Sequence, residues 1–366
     1  MSRTTWILGL SSSLLLVVAG GCNGGGGGQG NPDASGDETS SGSSGGSSSG
    51  GGGAGITTLA SSTDPQFLAV DAKNVYWTDF GDGSSSTGGG GSVFSVPIAG
   101  GTMVTLATGL YSPGGIAVDG TDVYWVDFGV LNPPGDVMKV PLGGGTPTTL
   151  ATSINGGSPT HIAIDANNVY WTDYNAVWQV PKSGGTPLMI AEDPGGLTSG
   201  IAVDATNVYW TAEESADGGP VGTGSVMKTP IGGGTTVVLA TAQNIPLDLK
   251  VDATSVYWVN QGDVTTPDGA VMKIPLAGGT PTTLAMAQNT IFDLAIDSTD
   301  VYWNDWGQQT LQMTNGSLEK VPLGGGAPTT LAAQVQVYDV VVDDTYLYGT
   351  QIFTHPSHGT IVKMPK

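Results

Sequence analysis

A five-residue phrase occurs six times along this chain at nearly even spacing. It reads VYWTD at residues 75–79 and again at 169–173, and near-copies begin at Val123, Val208, Val256 and Val301. Successive copies lie 39 to 48 residues apart. Self-similarity at such a period is typical of propellers, solenoids and other arrays, in which each unit buries its apolar surface against the next unit. The chain is therefore predicted to be a repeat protein.

Each repeat contains four short segments with the character of β-strands. In the copy from Ile201 to Ala240 they read IAVD, ATNVYWTA, GSVMKTP and IGGGTTVVLA. The segments are rich in Val, Ile, Tyr, Trp and Thr and end at Gly, Asp, Asn or Pro, as strands and their turns do. No stretch past residue 55 has a sustained helical period. Four strands in a meander form one blade of a β-propeller, so we predict an all-β propeller.

The strand signals also predict the number of blades and how the ring closes. Seven aspartates end first strands and seven prolines end third strands. The last proline nearly ends the chain, so the seventh repeat lacks a fourth strand, whereas ITTLA at Ile56 to Ala60 matches the fourth-strand phrase TPTTLA but precedes every first strand. We predict seven four-stranded antiparallel blades, the last completed by the N-terminal strand. The aspartates are Asp71, Asp119, Asp165, Asp204, Asp252, Asp297 and Asp343, and the prolines are Pro97, Pro141, Pro181, Pro230, Pro275, Pro322 and Pro365.

Residues inside the repeat have roles that follow from their positions. An aspartate at the end of a first strand can accept hydrogen bonds from turn amides, and a catalytic role is the alternative. The six tryptophans hold one register, which favours burial between blades. The seventh repeat reads LYG, with Gly349 in place of Trp, so we expect that closing blade to be the most loosely packed.

Residues 1–22 have the pattern of an export signal. Arg3 precedes an apolar run that is shorter than the ~20 residues of a membrane-spanning helix, and small residues lead to Cys22. The ending AGGC resembles a bacterial lipobox, whose cysteine is lipidated; the alternative is a plain secretory signal. Cys22 is the only cysteine, so the fold uses no disulfide. We expect a lipid-anchored protein of the cell envelope, at the outer membrane or cell surface.

The segment from 23 to 55 is almost entirely Gly, Ser and a few acids. Such a composition cannot bury enough apolar area to offset the entropy of ordering, so we predict a disordered linker. The predicted propeller domain then spans residues 56–366.

The repeated phrase resembles that of the YWTD-type β-propellers, which occur in lipoprotein-receptor ectodomains and in bacterial exported proteins. The four letters are intact at 76–79 and 170–173, and the resemblance covers residues 56–365. It implies a domain that binds protein ligands and is not catalytic. The receptor modules have six blades, whereas seven are counted here, and propellers as a class include both binding proteins and enzymes.

The loops give the predicted ring two different faces. Turns between first and second strands, and between third and fourth strands, are short and nearly identical. Loops between second and third strands and links between blades vary in length and sequence. Both variable sets emerge at the same end of the blades, here called the variable face, and the opposite end is the scaffold face. Binding residues concentrate in loops held by a rigid scaffold, so the variable face is the candidate binding surface.

The chain is strongly acidic, with a formal net charge of −21, and none of its nine lysines lies in a variable loop. Acids raise solubility, but a face of one sign also repels nucleic acid and anionic membranes and attracts cations or basic partners. We therefore predict a protein or glycan partner, no nucleic acid, and membrane contact through the lipid anchor only. The acids assigned to the variable face are Asp64, Asp82, Asp136, Glu192, Asp193, Glu213, Glu214, Asp217, Asp263 and Asp268.

Aromatic residues at the ends of second strands are the first group of candidate binding residues. They are Phe80, Phe128, Tyr174 and Trp306. Such a set could form a rim on which a sugar or peptide stacks, or it could form the lid of the inter-blade core, which is the favoured alternative.

Three aspartates in consecutive blades are the second group. Asp248, Asp293 and Asp339 share one register at the start of first strands, which are innermost in a propeller, so their carboxylates should gather at the channel mouth with His161 across from them. Their repulsion must be relieved by protonation, by backbone amides or by a cation, and oxygen ligands suit Ca²⁺ or Mg²⁺. The favoured alternative is that each aspartate caps the link before its own strand. In the other blades this register holds Phe67, Gly115, His161 and Gly200.

These observations leave three hypotheses for the function. The first is a monomeric, non-catalytic binding module whose acidic variable face holds a protein or glycan. The second is a metal-dependent lyase or lactonase that uses carboxylates at the channel mouth, and the third is a structural component of the envelope. The sequence contains no nucleophile motif, phosphate loop or zinc signature, which favours the first.

Overall fold

The computed structural model of the protein describes residues 55–81, 89–129, 134–152, 159–193, 196–213, 223–262, 266–307, 315–352 and 359–366. The export signal at 1–22, its Cys22 and residues 23–54 of the linker lie outside these ranges and stay predictions. In the part of the chain that is described, no helix has the length and apolar character needed to cross a membrane.

The described residues form seven four-stranded antiparallel sheets, one per blade. Blade 1 contains β2 (Pro65–Val70), β3 (Asn74–Asp79), β4 (Gly91–Pro97) and β5 (Val104–Leu110). Blade 2 contains β6 (Pro113–Val118), β7 (Asp122–Gly129), β8 (Pro134–Pro141) and β9 (Thr148–Thr152), and blade 3 contains β10 (Pro159–Ile164), β11 (Asn168–Asp173), β12 (Ala176–Pro181) and β13 (Leu188–Glu192). Blade 4 contains β14 (Leu197–Val203), β15 (Asn207–Glu213), β16 (Gly224–Pro230) and β17 (Val237–Gln243), and blade 5 contains β18 (Pro246–Val251), β19 (Ser255–Asn260), β20 (Gly269–Pro275) and β21 (Thr282–Gln288). Blade 6 contains β22 (Leu294–Ile296), β23 (Asp300–Asp305), β24 (Ser317–Pro322) and β25 (Thr329–Ala333). Blade 7 contains β26 (Val337–Val342), β27 (Tyr346–Ile352), β28 (Gly359–Pro365) and the N-terminal strand β1 (Thr57–Ser62).

The seventh blade confirms the predicted closure of the ring. Its strand order is β1, β28, β27, β26, so one strand comes from the start of the domain and three come from its end. Thr57 lies opposite Lys363, and Ser62 lies opposite Gly359. In every blade the first strand packs against first strands of neighbouring blades, and the fourth strand is outermost. The seven first strands therefore surround the central channel.

A repeated hydrogen-bond network explains why an aspartate ends each first strand. In blade 4, Asp204 Oδ1 accepts the backbone N–H groups of Thr206 and Asn207 at 2.7 and 2.8 Å, and Asp204 Oδ2 accepts the hydroxyl of Tyr209 at 2.7 Å. All seven turn aspartates make both kinds of contact. The amide contacts confirm the prediction, whereas the tyrosine five residues later is a partner that was not predicted. These carboxylates have a structural role on the scaffold face.

The tyrosine and the tryptophan of the repeated phrase lie on opposite faces of their blade, because side chains alternate along a strand. Tyr76 of blade 1 packs in one buried cluster with Trp125 of blade 2, and Tyr348 of blade 7 packs with Trp77 of blade 1. The same pairing recurs at four further interfaces. The six tryptophans of the phrase are at most 3% exposed, which agrees with burial between blades. The phrase recurs because nearly every interface needs a tyrosine from one blade and a tryptophan from the next.

The interface between blades 6 and 7 is the exception, because blade 7 has Gly349 at the tryptophan position. Tyr302 of blade 6 there packs with Val337 and Val340, which are 1% and 0% exposed. A Cβ atom on Gly349 would lie 2.6 Å from Cγ1 of Val337. Val337 thus occupies the space beside the glycine, and the expectation of loose packing is wrong at this position.

We expect that restoring a larger residue at Gly349 destabilises the protein. Gly349→Ala pushes a methyl group into Val337, and overpacking of this kind costs ~1–3 kcal/mol. Gly349→Trp should cost more, although it restores the repeat consensus. Urea unfolding of Gly349→Ala, Val337→Ala and the double variant measures the coupling: the two changes together should cost less than their sum. Additive losses, or a stabilised Gly349→Trp, would contradict this account.

Lysines of the third strands connect neighbouring blades on the scaffold face. Three of them donate to backbone carbonyls of the next blade at 2.6 to 3.0 Å: Lys228 to Leu276, Lys273 to Leu323 and Lys363 to Ile98. These lysines, like the aspartate–tyrosine pairs, therefore have structural roles on the scaffold face.

Candidate functional site

The seven first strands each place one residue of the predicted register at the variable end of the channel. The channel is narrow there, because the ring of Phe67 in blade 1 lies 5.5 Å from the ring of His161 in blade 3, in an edge-on contact. Glycines at 115 and 200 lie where a Cβ atom would come within 3.0 Å of the neighbouring first strand, so they permit close packing of blades. His161 and the three carboxylates therefore share a small site.

The three carboxylates are buried and bond to neighbouring blades. Asp248, Asp293 and Asp339 are 7%, 9% and 6% exposed. Asp293 Oδ2 accepts the backbone N–H of Val340 in blade 7 at 2.7 Å, and Asp339 Oδ2 accepts the backbone N–H of Leu68 in blade 1. Both bonds run forward to the next blade. The alternative in which each aspartate caps its own link is therefore wrong for these two residues, which instead connect blades 6, 7 and 1.

A cation of the chain itself, Lys250, lies at this cluster. Its Nζ contacts Oδ2 of Asp248 in a short ion pair and lies 3.9 Å from Oδ1 of Asp293. This lysine was not predicted from the sequence, although a signal was available. Lys250 follows Asp248 by two residues on the same strand, so both side chains lie on the same side of that strand. The equivalent positions in the other blades hold only small or aliphatic side chains, namely Ala69, Ala117, Ala163, Ala202, Ala295 and Val341.

Lys250 also corrects the expectation of a variable face with charge of one sign. No lysine occurs in the variable loops, but this first-strand lysine places an ammonium at the centre of the face. Its side chain is 36% exposed although first strands surround it. The exposed part therefore faces the channel.

Burial and mutual charge set the protonation of this cluster. Burial raises the pKa of Asp293 well above its ordinary value, with a further contribution from the Asp339 and Asp248 carboxylates, and burial also raises the pKa of Asp339. Burial acts in the same direction on Asp248, but the Lys250 ammonium and a hydrogen bond to Asp293 outweigh it, so the pKa of Asp248 is lowered. Burial lowers the pKa of His161 to about 4, which makes the imidazole neutral near pH 7. Asp293, between two other carboxylates, is the member that holds a proton most readily.

The three carboxylates of the expected metal site have other partners in this structure. Within the described ranges, no group of three or more His, Cys, Asp or Glu side chains is arranged to hold a metal ion. Backbone amides and the Lys250 ammonium instead relieve the repulsion among the three carboxylates. Binding of Ca²⁺ or Mg²⁺ by Asp248, Asp293 and Asp339 stays a prediction, as does the lyase or lactonase hypothesis that depends on it.

Aromatic side chains surround the carboxylates on one side of the mouth. The ring of Tyr338 in blade 7 lies 5.9 Å from the rings of Phe67 and Phe292 and 6.1 Å from Trp306. Trp306 packs on Phe292 at 4.9 Å, and its Nε1 donates to the carbonyl of Val337 at 2.7 Å. Of this group, Trp306 was predicted as a rim aromatic and Phe67 was placed in the channel-mouth register, whereas Phe292 and Tyr338 were not predicted. Phe67, Phe292 and Tyr338 join Trp306 because the closing blades bring their first strands together.

The other three predicted rim aromatics lie elsewhere. Phe80 and Phe128 are half-buried and pack edge-on at 6.0 Å, which links blades 1 and 2. Tyr174 is 52% exposed on blade 3. The four residues therefore do not form one continuous rim, and each stays a candidate for ligand contact.

The aspartate of the VYWTD phrase caps loops of the variable face. Asp79 Oδ2 accepts the backbone N–H groups of Thr63 and Asp64 at 2.9 and 3.1 Å, and Asp79 Oδ1 accepts the N–H of Gly81 at 2.7 Å. Equivalent caps occur at Asp127 and Asp305. This role explains the fifth letter of the phrase.

Two acids assigned to the variable face are partly buried and easily protonated. Burial and the nearby Asp79 charge raise the pKa of Asp64 to about 6, and burial raises the pKa of Glu213 to about 7. Near neutral pH a fraction of these two carboxyl groups is protonated, so the variable face carries less negative charge than the number of its acids suggests. Of the other acids assigned to this face, Asp82, Glu214, Asp217 and Asp263 lie outside the described residues.

The seven sheets and the N-terminal strand that completes the last of them define a seven-bladed β-propeller, and its repeated phrase resembles that of the YWTD-type propellers. Among solved structures, the chain is similar to a chain in the crystal structure of a nidogen/laminin complex, with 20% sequence identity and a TM-score of 0.51. The similarity covers 68% of this chain and 94% of that chain. No family model and no curated protein matches the sequence. At this level of identity, the structural similarity supports the fold alone.

Proposed function

We propose that this protein is an exported, lipid-anchored β-propeller that binds a protein or glycan partner through its variable face as a monomer and without catalysis. The observation that carries the proposal is the contrast between the two faces. On the scaffold face, turn aspartates, tyrosines and lysines bond to one another or to the backbone. On the variable face, buried carboxylates, a neutral histidine and aromatic rings converge at one point, the channel mouth.

Several features support a partner over a purely structural role. Convergent polar groups beside aromatic surface are typical of binding sites, which use a few placed polar side chains to orient a ligand. Loops that differ from blade to blade on a repeated scaffold are typical of surfaces that recognise a partner. The acidic excess favours a basic partner and repels nucleic acid.

Capture from an envelope extract tests the proposal. The variable-face variant carries Asp64→Asn, Glu192→Gln and Asp268→Asn. Its matched control carries Asp33→Asn, Asp37→Asn and Glu38→Gln, which change the net charge equally in the predicted linker. We expect proteins or glycans retained by the native chain to be lost from the variable-face variant and kept by the control. Identical captured sets for all three chains would defeat the proposal.

The anchor has a separate test. Cys22→Ser should move the protein from the membrane fraction to the soluble fraction, because this substitution removes the atom that would be lipidated. If the variant stays in the membrane fraction, the signal is of another type.

A further inference from the structure

At the channel mouth, carboxyl groups outnumber the cationic side chains that could neutralise them. Asp248, Asp293 and Asp339 share one ammonium, that of Lys250, which contacts only the first two within ion-pair distance. Asp64 adds a fourth carboxyl, in the link that leads into Phe67 of blade 1, where its Oδ1 accepts the Gln66 side-chain amide at 2.7 Å. Among the ion pairs of the described residues, none includes Asp64 or Asp339. The cluster therefore has a net negative charge whenever two or more of its carboxyls are ionised.

These residues form a continuous circuit around the channel axis. His161 of blade 3 contacts Phe67 of blade 1, and Phe67 contacts Tyr338 of blade 7. On the other side, the charges of Asp248 and Lys250 in blade 5 act on His161. Asp293 and Asp339 complete the circuit through their interactions with Asp248 and with each other. A group that enters the channel from the variable face would thus meet aromatic rings on one side and carboxylates on the other.

An unused polar atom lies in the same circuit. Nδ1 of His161 is buried and has no hydrogen-bond partner. A buried polar group without a partner costs ~1–3 kcal/mol, so such groups are rare in native structures and call for an explanation. The atom has almost no accessible surface, so a ligand N–H reaches its lone pair only if the neighbouring side chains shift.

We propose that the channel mouth binds one protonated primary amine, the side-chain ammonium of a lysine on a protein partner. An ammonium offers three N–H donors to Asp339 and Asp64, which accept hydrogen bonds from amides but form no ion pair with a cation of the described residues, and its attraction to aromatic faces adds to the binding. The alkyl stem of a lysine would pack on Phe67 and Tyr338 near the entrance. Lys250 shows that an ammonium fits between carboxylates at this place. The inference rests on the proposed function, since the lysine belongs to the partner of the variable face.

Calorimetry of the full chain with short peptides tests the inference. The probe is acetyl-Gly-Lys-Gly-amide, and the matched probes contain norleucine, which keeps the alkyl stem, or acetyl-lysine, which lacks the charge. We expect the two matched probes to bind at least about tenfold more weakly, a loss of ~1.4 kcal/mol or more, because neither carries the ammonium that the carboxylates and rings attract. Equal affinity for the lysine and norleucine peptides would overturn the inference.

Variants locate the site. Asp64→Asn removes one carboxylate charge with little change of shape, and Tyr338→Leu removes the central ring, so both should weaken the lysine peptide about fivefold to tenfold. Asp344→Asn, which removes an exposed acid of the scaffold face, should leave the affinity unchanged. Should Tyr338→Leu fail to fold, Asp64→Asn decides alone, and native affinity in that variant would contradict the assignment.

A last calorimetric comparison uses glucosamine, which carries an ammonium, and N-acetylglucosamine, which does not. Tighter binding of glucosamine than of the lysine peptide would move the assignment from a protein to an amino sugar and would overturn the lysine proposal. Failure of the lysine probe alone leaves the proposed function intact if the variable-face variant still loses its captured partner. Failure of both experiments would reject the binding module itself.

Discussion

Deletion of Ile56–Ala60 should lower the free energy of unfolding by about 5 kcal/mol. The deletion removes most of β1, whose Thr57, Thr58 and Ala60 pair with β28. It also removes Ile56 and Leu59, which pack against the buried clusters on either side of blade 7. Two half-buried aliphatic side chains contribute ~1–2 kcal/mol each, and each lost backbone hydrogen bond contributes ~1 kcal/mol. The new edge at β28 would also be free to pair with other chains.

Thermal unfolding and light scattering measure both effects. We expect a lower melting temperature and increased aggregation for the deletion. A deletion of equal length at 24–28, in the glycine run of the predicted linker, provides the control and should unfold as the native chain does. If the two deletions unfold at the same temperature, the N-terminal strand does not hold the ring closed.

Replacement of Lys250 by methionine should destabilise the protein by about 2 kcal/mol near pH 7. Removal of one partner from a fully buried ion pair costs ~3–5 kcal/mol, and the estimate is lower here because part of the side chain faces water in the channel. Methionine keeps the length and apolar stem of the lysine, so the loss reflects mainly the charge.

The loss should depend on pH in a stated direction. Burial already raises the pKa of Asp293 and Asp339, and Lys250 opposes that rise. Without the ammonium, the folded-state pKa of these carboxyls lies still further above the unfolded value, and a raised carboxyl pKa favours the folded state only while the group is protonated. The destabilisation by Lys250→Met should therefore be smaller at pH 5 than at pH 8.

Two comparisons isolate the charge effect. In an Asp248→Asn and Asp293→Asn background, Lys250→Met should cost much less, because the two carboxylates within ion-pair distance of the ammonium are already gone. Lys273→Met, which removes a scaffold-face lysine bonded to the carbonyl of Leu323, should show little change between pH 5 and pH 8. A loss for Lys250→Met that is the same at both pH values would contradict the electrostatic account.

The parts of the fold that could be predicted are those that depend on local chemistry. The turn aspartates bind amides two and three residues ahead, and Tyr and Trp lie on opposite faces of one strand because they are adjacent in sequence. Such relations are the same in every copy, so the repeat itself reveals them. The count of first and third strands then required the N-terminal strand to complete blade 7.

The site could be predicted only in part, because it lies where the repeat is broken. The shared register of Asp248, Asp293 and Asp339 indicated the channel mouth, but Lys250 changes the electrostatics of that cluster. Lys250 could have been predicted from the sequence, because it follows Asp248 by two residues on the same strand. Part of the aromatic group could have been predicted in the same way, since Phe292 and Tyr338 each directly precede the register aspartate of their blade, whereas their contacts with Trp306 depend on how the blades pack.

The sequence by itself determined the blade, the number of blades and the way the ring closes, because strand alternation and turn chemistry act over a few residues. Only the tertiary structure decided which side chains meet. Phe67 contacts His161 across the channel, and Val337 occupies the space beside Gly349, because the ring brings distant first strands close to one another and to neighbouring blades. The physical reason is that a contact across the channel depends on the radius of the closed ring and on the side-chain volumes at its centre, and neither quantity is a property of a single repeat.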